Sequence, residues 1–268
     1  MSTSDFPTQD DIKRIYSTAP FQPFRAMRKR IFIPLNKDES STGPLTACLK
    51  SIEVTEILEQ LHYKIMGAAK SYVLMSYFFE KGIPDDESYI SPGKQGESVE
   101  FLPHFEPIHF EVKDWFDYFS DTFYYKLFSS LDMVGHFINL QYELGVKPKQ
   151  VHFNSSLVNK LHTKDLHLHK GLKEILEDPI YLEANRLRND ITHNYLPGSA
   201  GLSVTREKGD GWEGIQLGIR AYTSSSAIMS NVQQAVSLLE RIVDLVTESR
   251  INGGSGMATA APAEQEES

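Results

Sequence analysis

The residues of this chain that could do chemistry are concentrated in one hexapeptide, Arg188-Asn189-Asp190-Ile191-Thr192-His193. An arginine offers a planar fork of donors that holds two phosphate oxygens at once. A histidine takes or gives a proton near neutral pH. Such a pair could cleave RNA without a metal ion, with the 2'-hydroxyl as nucleophile, His193 as general acid or base and Arg188 stabilising the charged phosphorane. Asn189 could hold the phosphate, the base or the histidine tautomer.

Helical spacing leaves the identity of the phosphate ligand open. Arg188 and His193 are five residues apart, which is about 140° around an ideal helix, so they do not share a face. Asn189 and His193 do share a face, and so do Arg186 and His193. Either Arg188 reaches around the helix, or the helix ends near Thr192, or Arg186 is the ligand.

The string Arg188-Asn189-x-x-x-His193 resembles the signature of the HEPN superfamily (higher eukaryotes and prokaryotes nucleotide-binding). In that signature an arginine, often followed by asparagine, precedes a histidine by four to six residues. The stretch from Tyr124 through Asp132 to Gly145, followed by this motif, looks most like a Cthe-like branch of the superfamily. The likeness covers roughly residues 110 to 197. Because Asn189 completes the family dipeptide, it favours Arg188 over Arg186.

The resemblance implies a metal-independent endoribonuclease that needs no cofactor. RNA would be its partner, and two subunits of a homodimer would each supply an arginine and a histidine. Many superfamily members are toxins or defence effectors. The alternative is a non-catalytic HEPN module that binds a nucleotide or a protein partner. A third hypothesis is a plain helical interaction protein, in which Arg186 and Arg188 pair with Glu183 and Asp190 and His193 interacts with the helix dipole.

Candidates for supporting roles at the site are Arg186, Asp190, Asp132 and His136, and Tyr195 is a candidate modification site. Asp132 and His136 lie one helical turn apart and could orient the site, and the alternative is a buried, hydrogen-bonded polar pair. Tyr195 follows the histidine by two residues, as in HEPN toxins that are paired with a nucleotidyltransferase antitoxin and receive AMP on this tyrosine. Because Tyr195 also lies four residues after Ile191, it could instead belong to the core.

The surrounding elements are predicted to be helical. Apolar stripes with Pro or Gly stops indicate helices over residues 45–81, 111–144, 170–195 (with a kink at Asp178-Pro179) and 224–250. Residues 202–221 read as a hairpin with strands at Leu202–Val204 and Ile215–Leu217, joined through residues 209–211. The fold class is therefore all-α, a HEPN-type antiparallel helical bundle with a small β-hairpin.

The two ends of the chain differ from this central domain, predicted over residues 45–251. Five prolines punctuate residues 1–44, which indicates an extended arm with one short helix at Gln9–Tyr16. Its basic cluster (Arg25, Arg28, Lys29 and Arg30) could contact phosphate, or the arm could simply pack Phe21, Phe24 and Ile31 on the core. Residues 252–268, rich in Gly, Ala, Ser and Glu, are predicted to be a disordered tail.

Composition narrows the function classes. The net charge of -9 argues against a broad nucleic-acid surface, so any RNA contact must be local. The single cysteine, Cys48, excludes a Cys-based zinc site, and no metal is expected. No apolar run reaches the roughly 18 residues of a membrane span, and no signal peptide is recognisable, so we expect a cytoplasmic protein without membrane contact.

The aromatic-rich helix at 111–144 has more apolar surface than one bundle face hides, which predicts a homodimer.

Overall fold

The computed structural model of the chain describes residues 6–30, 44–209 and 212–253. These residues form eight α-helices and two small antiparallel strand pairs, which confirms the predicted all-α fold with a β-hairpin. The helices are α1 (Gln9–Tyr16), α2 (Gln22–Arg30), α3 (Pro44–Glu80), α4 (Pro107–Gln141), α5 (Ser155–Asn159), α6 (Leu166–Glu177), α7 (Pro179–His193) and α8 (Ser225–Gly253). The strands are β1 (Tyr89–Ile90), β2 (Glu100–Phe101), β3 (Leu202–Gly209) and β4 (Trp212–Ile219).

The chain divides into two compact units, and the long helices α3, α4 and α8 contribute a segment to each. Of the described residues, the first unit comprises those within 6–22, 66–127 and 179–236, and the second comprises those within 23–30, 44–65, 128–178 and 237–253. The Arg-Asn-His motif and the hairpin belong to the first unit. Within the described part of the chain, no helix combines the length and the apolarity that crossing a membrane requires.

Helix α7 is anchored in the first unit by an apolar stripe and a buried polar contact. Tyr181, Ala184 and Leu187 recur every three residues and are buried. The hydroxyl of the buried Tyr124 donates to Asn231 Oδ1 at 2.8 Å, and Asn231 Nδ2 lies 3.5 Å from a backbone oxygen at the start of α7. Burial raises the pKa of Tyr124, so its hydroxyl stays protonated as this donor. These contacts fix the helix on which the motif is carried.

The third predicted helical region is two helices rather than one kinked helix. α6 ends at Glu177, Asp178 is extended, and α7 begins at Pro179, where proline suits the first position of a helix. At the other end α7 stops at His193, two residues earlier than predicted. The residues after His193 therefore leave the inward stripe of α7.

The hairpin is longer than predicted, and its apolar face is open. The register pairs Val204 with Leu217 and Arg206 with Ile215, and the turn residues 210–211 lie outside the described residues. Opposed residues point to the same side of a two-stranded sheet. Leu202, Val204, Ile215 and Leu217 consequently share one face, and each is between 55 % and 69 % exposed.

The N-terminal segment is more ordered than an extended arm. α1 lies where it was predicted and begins with a capping box, in which Thr8 and Asp11 exchange hydrogen bonds of 2.9 and 3.2 Å. The extended description is wrong for residues 22–30, because they form α2.

α2 belongs to the second unit, where its apolar side chains are covered. Phe24 and Met27 are buried, while Arg30 pairs with Asp244 and, at 3.4 Å, with Glu240. Of the predicted basic cluster, Arg30 is thus neutralised by carboxylates of α8. Ile31 and the residues predicted as a disordered tail after 253 lie outside the described residues.

Candidate functional site

Arg186, the alternative phosphate ligand, is already occupied by two carboxylates. Its Nε and Nη2 donate to Glu183 at 2.9 and 2.7 Å, and its Nη1 donates to Asp190 at 2.7 Å. The hydrogen bond from Arg186 lowers the pKa of Glu183, so the pair remains ionised near neutral pH. A phosphate that binds this guanidinium in a bidentate way would have to compete with these carboxylates.

Arg188 lies on another side of α7 and is half-buried. Its Nη2 donates to the side-chain oxygen of Asn185 at 3.1 Å. The backbone oxygen of Arg188 accepts a bond from the Thr192 hydroxyl at 2.7 Å, which tightens the last turn of the helix. The structure therefore distinguishes the two arginines. Arg186 is paired with two carboxylates, whereas Arg188 lies on another side of the helix and donates to the neutral Asn185 side chain.

His193 is the last residue of α7, and its side chain is exposed. Among the described residues its ring has no hydrogen-bond partner. Because α7 is helical as far as His193, Arg188 and His193 of one chain remain on different faces. Asn189, which is half-buried, shares the face of His193 one turn earlier.

Asp190 joins the end of α7 to the segment that follows. One carboxylate oxygen accepts the bond from Arg186, and the other accepts Asn194 Nδ2 at 2.9 Å. The backbone N–H of Asn194 also donates to the Asp190 carbonyl at 2.9 Å. Asp190 thereby links Arg186 on α7 to Asn194, the residue that follows His193.

Tyr195 is not a core residue, contrary to one of the two sequence interpretations. Its side chain is 69 % exposed, because the helix ends before it. The guanidinium carbon of Arg220 lies 3.9 Å from the centre of its ring, which is a stacked cation–π contact. Sequence reasoning missed Arg220, since only the hairpin brings residue 220 back beside residue 195.

A buried charged cluster lies under the segment that follows Tyr195. Lys113 Nζ is 3.0 Å from both Asp117 oxygens and 3.7 Å from Asp85. Asp85 is 1 % exposed and accepts bonds from the Tyr222 hydroxyl at 2.7 Å and from the Ser225 N–H at 3.0 Å, so it caps α8. No periodic or motif signal in the sequence singles out this cluster.

The same cluster holds carboxyl groups with strongly raised pKa values. Burial raises the pKa of Asp117 to about 6, although the Lys113 ammonium opposes the shift. Burial, and then the neighbouring Asp117, raise the pKa of Asp121 to about 7. A β-carbon added at Gly198 would lie only 2.7 Å from Lys113 Nζ, so the segment after the motif rests directly on this cluster.

A family model described as Cthe2314-like HEPN matches residues 58–250, which is more than half of the chain. This chain belongs to that HEPN family. The match includes α7 with its Arg-Asn-His motif and the hairpin, and it confirms the expected superfamily and branch. Comparisons with curated proteins and with solved structures gave no significant match.

The remaining HEPN candidates, Asp132 and His136, lie in the second unit. Asp132 Oδ1 accepts the Phe153 N–H at 3.1 Å and lies 3.8 Å from His152 Nδ1. Burial lowers the pKa of His136, while the Asp132 carboxylate acts in the opposite direction. Asp132 is 45 % exposed at its side chain, so the pair is not a fully buried one. The contacts of Asp132 hold the segment after α4.

The described residues contain no group of three or more His, Cys, Asp or Glu side chains that could hold a metal ion. Asp165, which precedes His167 and His169, accepts the Leu168 N–H at 2.9 Å and caps α6. It also accepts the Tyr142 hydroxyl at 2.9 Å, so its carboxylate is engaged in structural contacts.

Proposed function

We propose that this HEPN protein is a metal-independent endoribonuclease that acts as a homodimer. The observation that carries the proposal is His193, an exposed imidazole at the very end of α7, whose ring has no hydrogen-bond partner among the described residues. A proton-transfer group must be accessible to its substrate. The spacing of this histidine from Arg188 and Asn189 matches the superfamily signature, and the family match includes it.

The proposed roles follow from residue chemistry. A histidine takes the proton of the 2'-hydroxyl, whose oxygen attacks phosphorus. Arg188 stabilises the charged phosphorane, and Asn189, on the face of His193, holds the substrate. The bond from phosphorus to the 5'-oxygen then breaks, and a second histidine protonates the leaving oxygen. The products are a 2',3'-cyclic phosphate and a free 5'-hydroxyl.

A second copy of the chain completes this scheme. One α7 helix offers a single histidine and holds Arg188 on another face, whereas two copies related by a two-fold axis offer two histidines and two arginines. Exposed apolar side chains support the association. Tyr118 and Tyr125, one heptad apart on α4, are 60 % and 67 % exposed, and the hairpin adds its aliphatic face.

The proposal extends to the biological setting. The enzyme would act in the cytoplasm, where its one cysteine stays reduced. It would serve as a toxin or a phage-defence effector, with an antitoxin as protein partner. Asp190 would act as a supporting residue, since it holds Asn194, the residue that follows His193.

Cleavage of RNA in the presence of EDTA tests the catalytic assignment. His193→Ala and Arg188→Ala should each lower the rate by about 10²–10⁴-fold. Arg186→Ala is the matched control, because it removes an arginine from the same helix that is already paired with two carboxylates. A dead Arg186→Ala enzyme beside an active Arg188→Ala enzyme would transfer the phosphate-binding role to Arg186. Light scattering that finds a monomer at micromolar concentration would contradict the dimer.

A non-catalytic nucleotide- or partner-binding module is the second candidate. The net charge of -9 favours it, because the acidic surface opposes contact with a long polyanion. Binding of a nucleotide to the purified protein, with His193→Ala weakening it and no RNA cleaved under any condition, would establish this role in place of the first.

We further propose that Tyr195 is a modification site for a nucleotidyltransferase partner. Its exposed ring would let the hydroxyl attack the α-phosphorus of ATP, forming AMP-tyrosine and releasing pyrophosphate. The added bulk and negative charge would block RNA from His193. Intact-mass analysis after co-expression with the adjacent genes should show one AMP on the wild type and none on Tyr195→Phe. An unmodified wild-type tyrosine, under conditions that silence the activity, would contradict this switch.

A further inference from the structure

Arg220 is a cation that the described structure leaves without a counter-ion. No carboxylate of the described residues lies within ion-pair distance of its guanidinium. Its contacts are weak and neutral: Nη1 lies 3.4 Å from the Ser199 hydroxyl and Nη2 lies 3.3 Å from the Leu202 carbonyl. Its Nε is buried and has no hydrogen-bond acceptor. A buried guanidinium nitrogen without an acceptor, on an arginine that has no carboxylate partner in the described part of the chain, marks Arg220 as a candidate site for an external anion.

The position of Arg220 is nevertheless well defined. Its backbone N–H donates to the Gly201 carbonyl at 2.9 Å, at the base of the hairpin. The neighbouring Thr223 N–H donates to the Pro197 carbonyl at 2.8 Å, which joins the two segments that flank the hairpin. Arg220 is therefore held beside the segment that carries Tyr195.

Tyr195 presents an aromatic surface next to this cation. Arg220 covers one face of the ring at 3.9 Å, yet the residue is 69 % exposed. The ring is thus supported from one side while much of its surface stays open to solvent. Two residues span at most about 7 Å of chain, so the backbone of Tyr195 lies within that distance of the backbone of His193. An aromatic ring of this kind stacks any nucleobase, because every base has a π-face.

We propose that Tyr195 and Arg220 form a subsite for one nucleotide of single-stranded RNA beside the scissile bond. Tyr195 stacks the base on its open face, and Arg220 binds a phosphate next to that base. The inference rests on the proposed ribonuclease function and adds a substrate class to it, because a base within a duplex has no free face to stack. It also gives AMP on Tyr195 a direct mode of action, since the modified tyrosine would occupy the same subsite.

The test measures the binding of short single-stranded RNA to the full chain in a His193→Ala background. Tyr195→Leu should weaken binding about tenfold, whereas Tyr195→Phe keeps the ring and should change it less than about twofold. Tyr63→Leu is the matched control, because this tyrosine on α3 is also exposed, at 68 %. Arg220→Gln should weaken binding and lower the salt dependence of the affinity by about one phosphate contact.

An abasic nucleotide, moved along the RNA, separates stacking from a structural effect. At one position the abasic nucleotide should weaken binding to the His193→Ala protein about as much as Tyr195→Leu does. At that same position it should not change the affinity of the protein that also carries Tyr195→Leu. Additive losses at every position would overturn the stacking inference. Equal binding by Tyr195→Leu would overturn it while leaving the ribonuclease proposal standing. Failure of the His193→Ala protein to bind any RNA, together with failure of the wild type to cut any, would overturn both.

Discussion

Replacing Asp121 by asparagine should stabilise this protein, and the gain should grow with pH. Lys113, Asp117 and Asp121 follow one another at intervals of four residues on α4, so they line one face of the helix. Lys113 is the cation that neutralises Asp117 and Asp85. Asp121 is half-buried beside them and carries an additional negative charge when it ionises.

The magnitude follows from the pKa of Asp121. The folded-state pKa is raised from its usual 3.8 to about 7, so the native state binds the proton more tightly than the unfolded chain does. The resulting stabilisation is fully present below pH 3.8 and is lost as the pH rises through about 7. At 1.36 kcal/mol per pH unit, the loss approaches about 4 kcal/mol, and coupling to Asp117 makes about 2–4 kcal/mol a fair range. Asparagine has nearly the same shape and cannot ionise, so it avoids this loss.

Urea unfolding at several pH values checks the reasoning. The free energy of unfolding of Asp121→Asn should exceed that of the wild type by about 2–4 kcal/mol at pH 8 and by little at pH 4. Asp114→Asn, at an exposed position on the same helix, should shift stability little at either pH. A difference between Asp121→Asn and wild type that is the same at pH 4 and pH 8 would refute the electrostatic explanation, and so would a less stable variant at pH 8.

Two further substitutions probe the packing around α7. Gly198→Ala should lower the free energy of unfolding in urea by about 1–3 kcal/mol. The added β-carbon would lie 2.7 Å from the buried Lys113 ammonium and would displace it from Asp117. Stability equal to that of the wild type would show that the segment shifts freely. Tyr124→Phe should cost about 1–3 kcal/mol, because the buried Asn231 oxygen loses its donor at 2.8 Å, and an unchanged midpoint would mean that another donor replaces it.

Local patterns determined most of the helices. The predicted boundaries 45–81, 111–144 and 224–250 agree with α3, α4 and α8 to within four residues at each end. This agreement has a local cause, because both helix signals, apolar residues at helical spacing and Pro or Gly stops, involve only residues that are close together in the sequence. The hairpin strands followed from their β-branched residues and turn glycines for the same reason.

Local patterns failed at α2, a short helix that burial of its apolar side chains stabilises. Pro23, one of the five prolines that indicate an extended arm, is the second residue of α2, where proline is well tolerated. Burial of Phe24 and Met27 then stabilises α2 as a helix. The short length of α2 makes this burial necessary, because an isolated helix of nine residues is marginal in water.

The sequence by itself determined the HEPN family, the motif and the helix that carries it. Only the tertiary structure decided that Arg186 is neutralised by Glu183 and Asp190 and that the helix stops at His193, leaving Tyr195 exposed. Only it could place Arg220 on Tyr195, which is 25 residues earlier in the chain. Motifs record residues that are close in sequence, whereas ion pairs, exposure and stacking depend on chain segments that folding brings together from a distance.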